Sequence, residues 1–258
     1  MKLSEFAINL DKLQDNKFQL NDRLIAKMIS AVEENGMDFS DLLEKVYLSK
    51  FPTGSLGKVL GVTGAPGVGK STFVNNLISR FSSIGLAVAV LAFDPSSRKT
   101  GGAFLGDRIR CSESIRESSA YFRSMSNKGT YGGLSLACLS AIRILTLGKF
   151  DVIIVETVGV GQNEVDIAEV ATKVVYMLDS GSGDSIQTEK VGIMEIADLY
   201  ILNKSDLYSN TNLEMALNDA VLGHHKDASK VPRVLSMNFK ATEAIDAAFF
   251  EIRSLLQL

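Results

Sequence analysis

Between Asn21 and Asn35 the apolar residues Leu24, Ile25, Met28, Ile29 and Val32 recur at steps of three and four, and Gly36 stops the pattern. That spacing puts one apolar stripe on an α-helix. A shorter helical pattern follows over 39–48, and the turn formers of FPTGSLG (51–57) read as a linker. Past Gly57 the pattern changes to short, nearly continuous apolar runs at 59–63, 87–93, 152–156, 174–178, 199–202 and 233–236. Helical patterns separate these runs. The clearest carries Leu134, Ala137, Cys138, Ala141, Ile142 and Leu145 on one face, and the last spans about 243–256. Strands apolar on both faces and alternating with helices predict a mostly parallel sheet covered on both sides. The expected organisation is a small N-terminal helical segment over 1–57 and an α/β domain over 58–258.

The first strand run leads directly into Gly64, Ala65, Pro66, Gly67, Val68, Gly69, Lys70 and Ser71, then Thr72 and a helical pattern. GAPGVGKS is a complete GxxxxGK[ST] sequence in its required context of strand, loop and helix. Glycines there let successive N–H groups turn inward around a polyphosphate, Lys70 adds a point charge, and Ser71 offers a hydroxyl to magnesium. The alternative, a glycine-rich βα turn with an exposed lysine, leaves this co-occurrence unexplained. The α/β domain is therefore expected to be a P-loop NTPase.

In open α/β sheets the ligand lies beyond the carboxyl ends of the strands, so the polar residues that follow each apolar run come next. Asn203, Lys204, Ser205 and Asp206 fit the guanine-reading pattern NKxD. Guanine presents two adjacent donors that one carboxylate accepts together, whereas adenine turns an acceptor toward it, so Asp206 is expected to select GTP over ATP. Asn203 is expected at the purine edge and the loop behind it and the Lys204 stem over the base, while Ser236 ends the last strand run at the same edge. Alone, NKxD also reads as a strand-ending turn that caps the next helix.

Glu156-Thr157-Val158-Gly159 stands where nucleotide hydrolases carry an acid for magnesium and a glycine facing the terminal phosphate. The competing role for Glu156 is a helix-capping acid. Asp94 ends its run near the phosphate loop and is a second candidate for the magnesium shell, with Ser71 and Glu156. Asp107 falls in a glycine-rich stretch suited either to switching or to a plain turn, and Gln162 is a candidate for orienting water at an unfamiliar offset. Arg98, Lys99, Arg108 and Arg110 read as phosphate or partner contacts, or more commonly as solvated charge. His224 and His225 read as exposed rather than metal-binding.

The net charge of −3 provides no general attraction to nucleic acid or to an anionic membrane, and neither is expected as a partner. Cys111 and Cys138 form no metal-ligand spacing, and Cys138 sits on an apolar helix face, which fits a reduced, cytoplasmic setting. The N-terminal MKLSEFAINLDKLQDNK has no signal-peptide core, and no run approaches membrane-spanning length.

The phosphate loop, AFDPSSRKTGGAFLGDRIR, ETVGVGQNEVDIAE, DSGSGDSIQTEKVGIMEIAD and NKSD occur in one order. In this the chain closely resembles the MeaB/ArgK GTPases, also called LAO/AO transport system ATPases, over about residues 21–206 and more loosely beyond. The resemblance implies a GTP-hydrolysing, Mg2+-dependent, dimeric chaperone of an adenosylcobalamin-dependent acyl-CoA mutase that gates cofactor loading and protects the mutase. It matches Lys70, Asp94, Asp107 and Glu156 to the family's hydrolysis-linked positions and residues 180–190 to its partner-sensing switch. Two departures stand out. Leu258 ends the chain where the family usually continues into a dimerisation arm, and Met237 replaces the usual alanine, with Ala241-Thr242-Glu243-Ala244 in place of a glycine-containing turn. A metallochaperone GTPase, a transport-linked protein kinase and a non-hydrolysing scaffold are the competing functions; the first normally carries Cys/His clusters that this sequence lacks.

Overall fold

The computed structural model describes residues 1–14, 21–94, 120–126, 136–157, 166–181, 196–207, 211–224, 232–238 and 241–258. Three helices come first: α1 (Leu3–Gln14), α2 (Asp22–Asn35) and α3 (Met37–Lys50). Asn21 caps α2 by accepting the Leu24 N–H at 3.1 Å, and Gly36, at φ 65°, ends the helix while its N–H bonds the Val32 carbonyl. The predicted stripe is the buried one, with Ile25, Met28, Ile29 and Val32 all in the core.

The sheet comprises β1 (Val59–Gly64), β2 (Val88–Asp94), β3 (Tyr121–Ser126), β4 (Val152–Thr157), β5 (Lys173–Asp179), β6 (Leu199–Asn203) and β7 (Arg233–Ser236). These seven strands lie in the order β3-β2-β4-β1-β5-β6-β7, and each neighbouring pair is parallel. Among the described residues, four further α-helices interleave with them: α4 (Lys70–Ser83), α5 (Leu136–Leu147), α6 (Thr211–His224) and α7 (Thr242–Leu256).

Alternation along each strand sorts the core into two layers. Ile153 and Val155 of β4 join Ala89, Leu91 and Phe93 of β2 beneath α5 and the three N-terminal helices. Val152 and Ile154 join Leu60, Val62, Val88 and Val90 on the opposite face, beneath α4 and α7. A third cluster, with Tyr176, Tyr200, Leu217 and Val221, seats α6 on the outer strands. The N-terminal helices thus share their apolar cluster with one face of the sheet. Cys138 is fully buried among them, and desolvation drives its thiol far above the ordinary value.

Because the strands are parallel, their carboxyl ends share one edge. Register sets Glu156 beside Ala92 and Val62, Gly64 beside Met177, Asp179 beside Asn203, and Ser236 beside Leu202. Every polar strand end singled out from the sequence therefore faces the same rim. Among the described residues, no helix is long and apolar enough to cross a membrane.

Candidate nucleotide-binding site

β1 passes into α4 through the glycine-rich loop, and close backbone packing fixes where the loop starts. Gly64 has φ 141°, and a Cβ there would stand 2.1 Å from the Met177 carbonyl oxygen of the adjacent strand. Only glycine fits. Gly67 and Gly69 also have positive φ, at 77° and 102°, a backbone that turns successive peptide N–H groups the same way around a concavity. Lys70 is buried at the first turn of α4, and its Nζ donates to the carbonyls of Gly64 at 2.7 Å and Ala65 at 2.8 Å. Its charge is held at the mouth of the loop and at the positive end of the helix dipole.

One residue on, the Ser71 hydroxyl donates to Glu156 Oε1 at 2.8 Å. The pair joins the first turn of α4 to the end of β4, and Glu156 is itself buried. A hydroxyl and a carboxylate side by side are hard oxygen donors of the kind Mg2+ takes, so the residues present fit that ion. The helix-capping alternative for Glu156 does not account for this bond, which runs to α4. Next to it, Thr157 Oγ1 donates to Thr63 Oγ1 at 2.8 Å in the interior, tying β4 to β1 beside the acid. Sequence reasoning missed this cross-strand link. Asp94 closes β2 one position beyond Phe93, the register partner of Thr157, and so lies on the same rim.

The base-reading residues are joined to the phosphate loop. Asn203 is buried at the end of β6, and its Nδ2 donates to the Val68 carbonyl at 2.8 Å. Lys204 adopts a left-handed backbone at φ 62°, and its ammonium is bound by Asp179 from the end of β5. Burial raises the Asp179 carboxyl, but the Lys204 ammonium and the Gly181 N–H outweigh it and hold the group below its ordinary range. The Ser205 N–H reaches the Met237 carbonyl at 3.1 Å, while the Met237 N–H bonds the Leu202 carbonyl at 2.8 Å. Asp206 is exposed at the rim. The Ser236 hydroxyl donates to Glu214 of α6 at 2.7 Å, a partner the sequence did not suggest. Its only hydrogen is committed there, so its oxygen can only accept from any further group. Met237 is buried rather than open to the rim.

The structure thus brings residues 64–71, Glu156, Asn203, Lys204, Asp206 and Ser236 to one edge, with Thr72 in the first turn of α4. Asp107, Gly159 and Gln162 lie outside the described residues, as do Arg98, Lys99, Arg108, Arg110, Cys111, His225 and positions 182–190. Among the described residues there is no His/Cys/Asp/Glu cluster that could hold a metal ion by itself.

A parallel sheet carrying GAPGVGKS at its first βα junction defines a P-loop NTPase. The sequence profile of the family described as "Methylmalonyl Co-A mutase-associated GTPase MeaB" matches residues 25–257, and the chain belongs to that family. A Pyrococcus horikoshii protein named as a GTPase is 44% identical over 197 residues, covering 76% of this chain and 61% of that relative. GTPase ArgK of Escherichia coli is 42% identical over 61% of this chain and 47% of its own. The mouse methylmalonic aciduria type A homolog, a mitochondrial protein, is 42% identical over 57% of this chain and 35% of its own. The chain therefore spans at most about three fifths of the length of these curated relatives. Among solved structures, an LAO/AO transport system kinase superposes with a TM-score of 0.69 at 27% identity, covering 100% of this chain and 78% of that one. Nickel-bound HypB from Helicobacter pylori superposes at 0.61 with 16% identity, over 84% of this chain and 95% of its own, which shows a shared fold.

Proposed function

We propose that the chain binds and hydrolyses GTP and acts as a chaperone of an adenosylcobalamin-dependent acyl-CoA mutase of the methylmalonyl-CoA type, gating cofactor loading and protecting the mutase. The observation that carries the GTPase part is the Asn203–Val68 hydrogen bond, which fixes the base-reading loop directly onto the phosphate-binding loop. The mutase part rests on family membership, whose description names that enzyme, and on the mouse relative named for methylmalonic aciduria.

In this reading Lys70 and the backbone N–H groups of residues 64–72, Pro66 excepted, hold the phosphates and offset the charge that develops as the terminal phosphoryl group leaves. Ser71, Glu156 and Asp94 would hold Mg2+, which supplies charge neutralisation to the transferred group. Asp107 belongs to the same hydrolytic set, Gly159 to the terminal-phosphate contact, and Ser236 to the base pocket. Bond cleavage becomes a change in partner affinity when loops held by the terminal phosphate rearrange on its loss. A homodimer and a cytoplasmic setting complete the proposal. The kinase name of the structural neighbour favours one alternative, transport-linked phosphoryl transfer to a protein.

Phosphate release from GTP and from ATP, measured with and without a purified adenosylcobalamin-dependent mutase, tests the reading. Slow GTP turnover, accelerated by the mutase and absent with ATP, is expected. ATP preference rejects the base assignment, and indifference to every such mutase rejects the chaperone role.

A further inference from the structure

The loop carrying Asp206 is fastened from three sides. Asn203 Nδ2 reaches back to Val68 in the phosphate loop, the Ser205 N–H reaches Met237 after β7, and the end of β5 supplies the third side. There the Ser180 hydroxyl and N–H both bond the Asn203 carbonyl, at 2.6 and 2.9 Å. Asp179 uses one carboxylate oxygen for the Gly181 N–H at 2.9 Å and the other for the Lys204 ammonium.

This last contact differs from the others. It joins two side chains at the rim that keep 22% and 33% of their surface open, an exposure at which ion pairs contribute little to folding. Its lysine stands in a left-handed backbone that non-glycine residues adopt at a cost. A weakly stabilising pair that holds an unfavourable conformation beside a ligand-binding rim is better explained by what it positions than by stability.

We infer that Asp179 is a positioning residue for guanine recognition: by holding the Lys204 ammonium it aims the lysine's methylene stem along one line at the rim, ready to cover the purine face. This rests on the reading of the site as a guanine pocket. The Lys204 charge is spent on Asp179, so what the residue offers a nucleotide is its apolar stem, fixed in advance. Because the base is common to substrate and product, losing this arrangement weakens both equally and leaves the phosphoryl step alone.

The test uses the full chain with Asp179→Asn, Lys204→Met and the double variant, with binding of GDP and a non-hydrolysable GTP analogue measured alongside steady-state turnover. Asparagine keeps an acceptor for Gly181 and removes only the charge. Affinity for both nucleotides should fall by about 5–10-fold in Asp179→Asn, with KM raised, kcat within about twofold and the melting temperature essentially unchanged. The double variant should bind no more weakly than the worse single one, as expected for two residues acting as one unit. Unchanged affinity in Asp179→Asn, losses that multiply in the double variant, or a fall in kcat alone would each overturn the assignment. If the unsubstituted chain binds no guanine nucleotide, the pocket reading fails and this inference with it; if it binds GDP and Asp179→Asn binds equally well, only the role of Asp179 fails.

Discussion

Replacing Gly64 with alanine adds one methyl group at the point where the phosphate loop leaves the sheet. The new Cβ would lie 2.1 Å from the Met177 carbonyl oxygen, so β1 and β5 must separate by more than an ångström to reach ordinary contact. The obstacle is backbone of β5, which is also paired with β6 at Met177, and it cannot rotate aside. Overpacking of this kind costs about 1–3 kcal/mol. The φ of 141° lies in a region essentially confined to glycine, which adds about 1–3 kcal/mol of strain. Together they predict a loss of roughly 2–6 kcal/mol, or a melting temperature lowered by on the order of 10 °C for a chain of this size. Gly67→Ala is the internal control. Its φ of 77° brings strain, but nothing lies within 4 Å of the added carbon, so only about 1–2 kcal/mol is expected. Urea unfolding of both variants, followed by circular dichroism, measures the difference. Equal destabilisation of the two, or none at Gly64, would refute the argument that close strand packing dictates this glycine.

Lys70→Ala should lower GTP turnover by on the order of 100-fold or more, because the cation that Lys70 places at the phosphate loop is removed; single-turnover phosphate release reads it. Glu156→Gln keeps an acceptor for the Ser71 hydroxyl but removes the charge, so the Mg2+ concentration for half-maximal turnover should rise about 10–100-fold, with melting little changed. Asp206→Asn should bring GDP and IDP affinities closer together, since the amide replaces one of the two acceptor oxygens with a donating NH2 and cannot meet guanine's two adjacent donors side by side; competition with a fluorescent GDP analogue measures it. For Asp179, a depressed carboxyl favours the paired state above its unfolded value of 3.8 and loses that contribution as pH falls through the lower folded value. The ratio of GDP affinities between the unsubstituted chain and Asp179→Asn should therefore stay constant from about pH 8 to 5.

The strands that carry the site were readable because each is apolar on both faces, and β1, β4, β5 and β6 end within a residue or two of the predicted positions. Two elements were not read. β3, sequence YFRSMS, is an edge strand with no continuous apolar run, and Arg123 within it turns to α2, bonding the Ala26 carbonyl, Ser30 and Glu33. Its strand character comes from pairing with β2 rather than from its own pattern. Helix α1 did carry a signal, in Phe6, Leu10 and Leu13 at helical spacing, all fully buried. In the site, the phosphate loop and NKSD were legible because local spacing alone makes their chemistry. Thr63–Thr157, Asp179–Lys204 and Glu214–Ser236 join residues 22 to 94 positions apart, and only the sheet order makes them neighbours.

The most direct test of guanine-nucleotide binding at this rim is a crystal structure of the chain with a non-hydrolysable GTP analogue and Mg2+. The account predicts phosphates enclosed by residues 64–71 and the guanine edge on the Asp206 carboxylate. A ligand bound elsewhere, or a base turned away from Asp206, would contradict it.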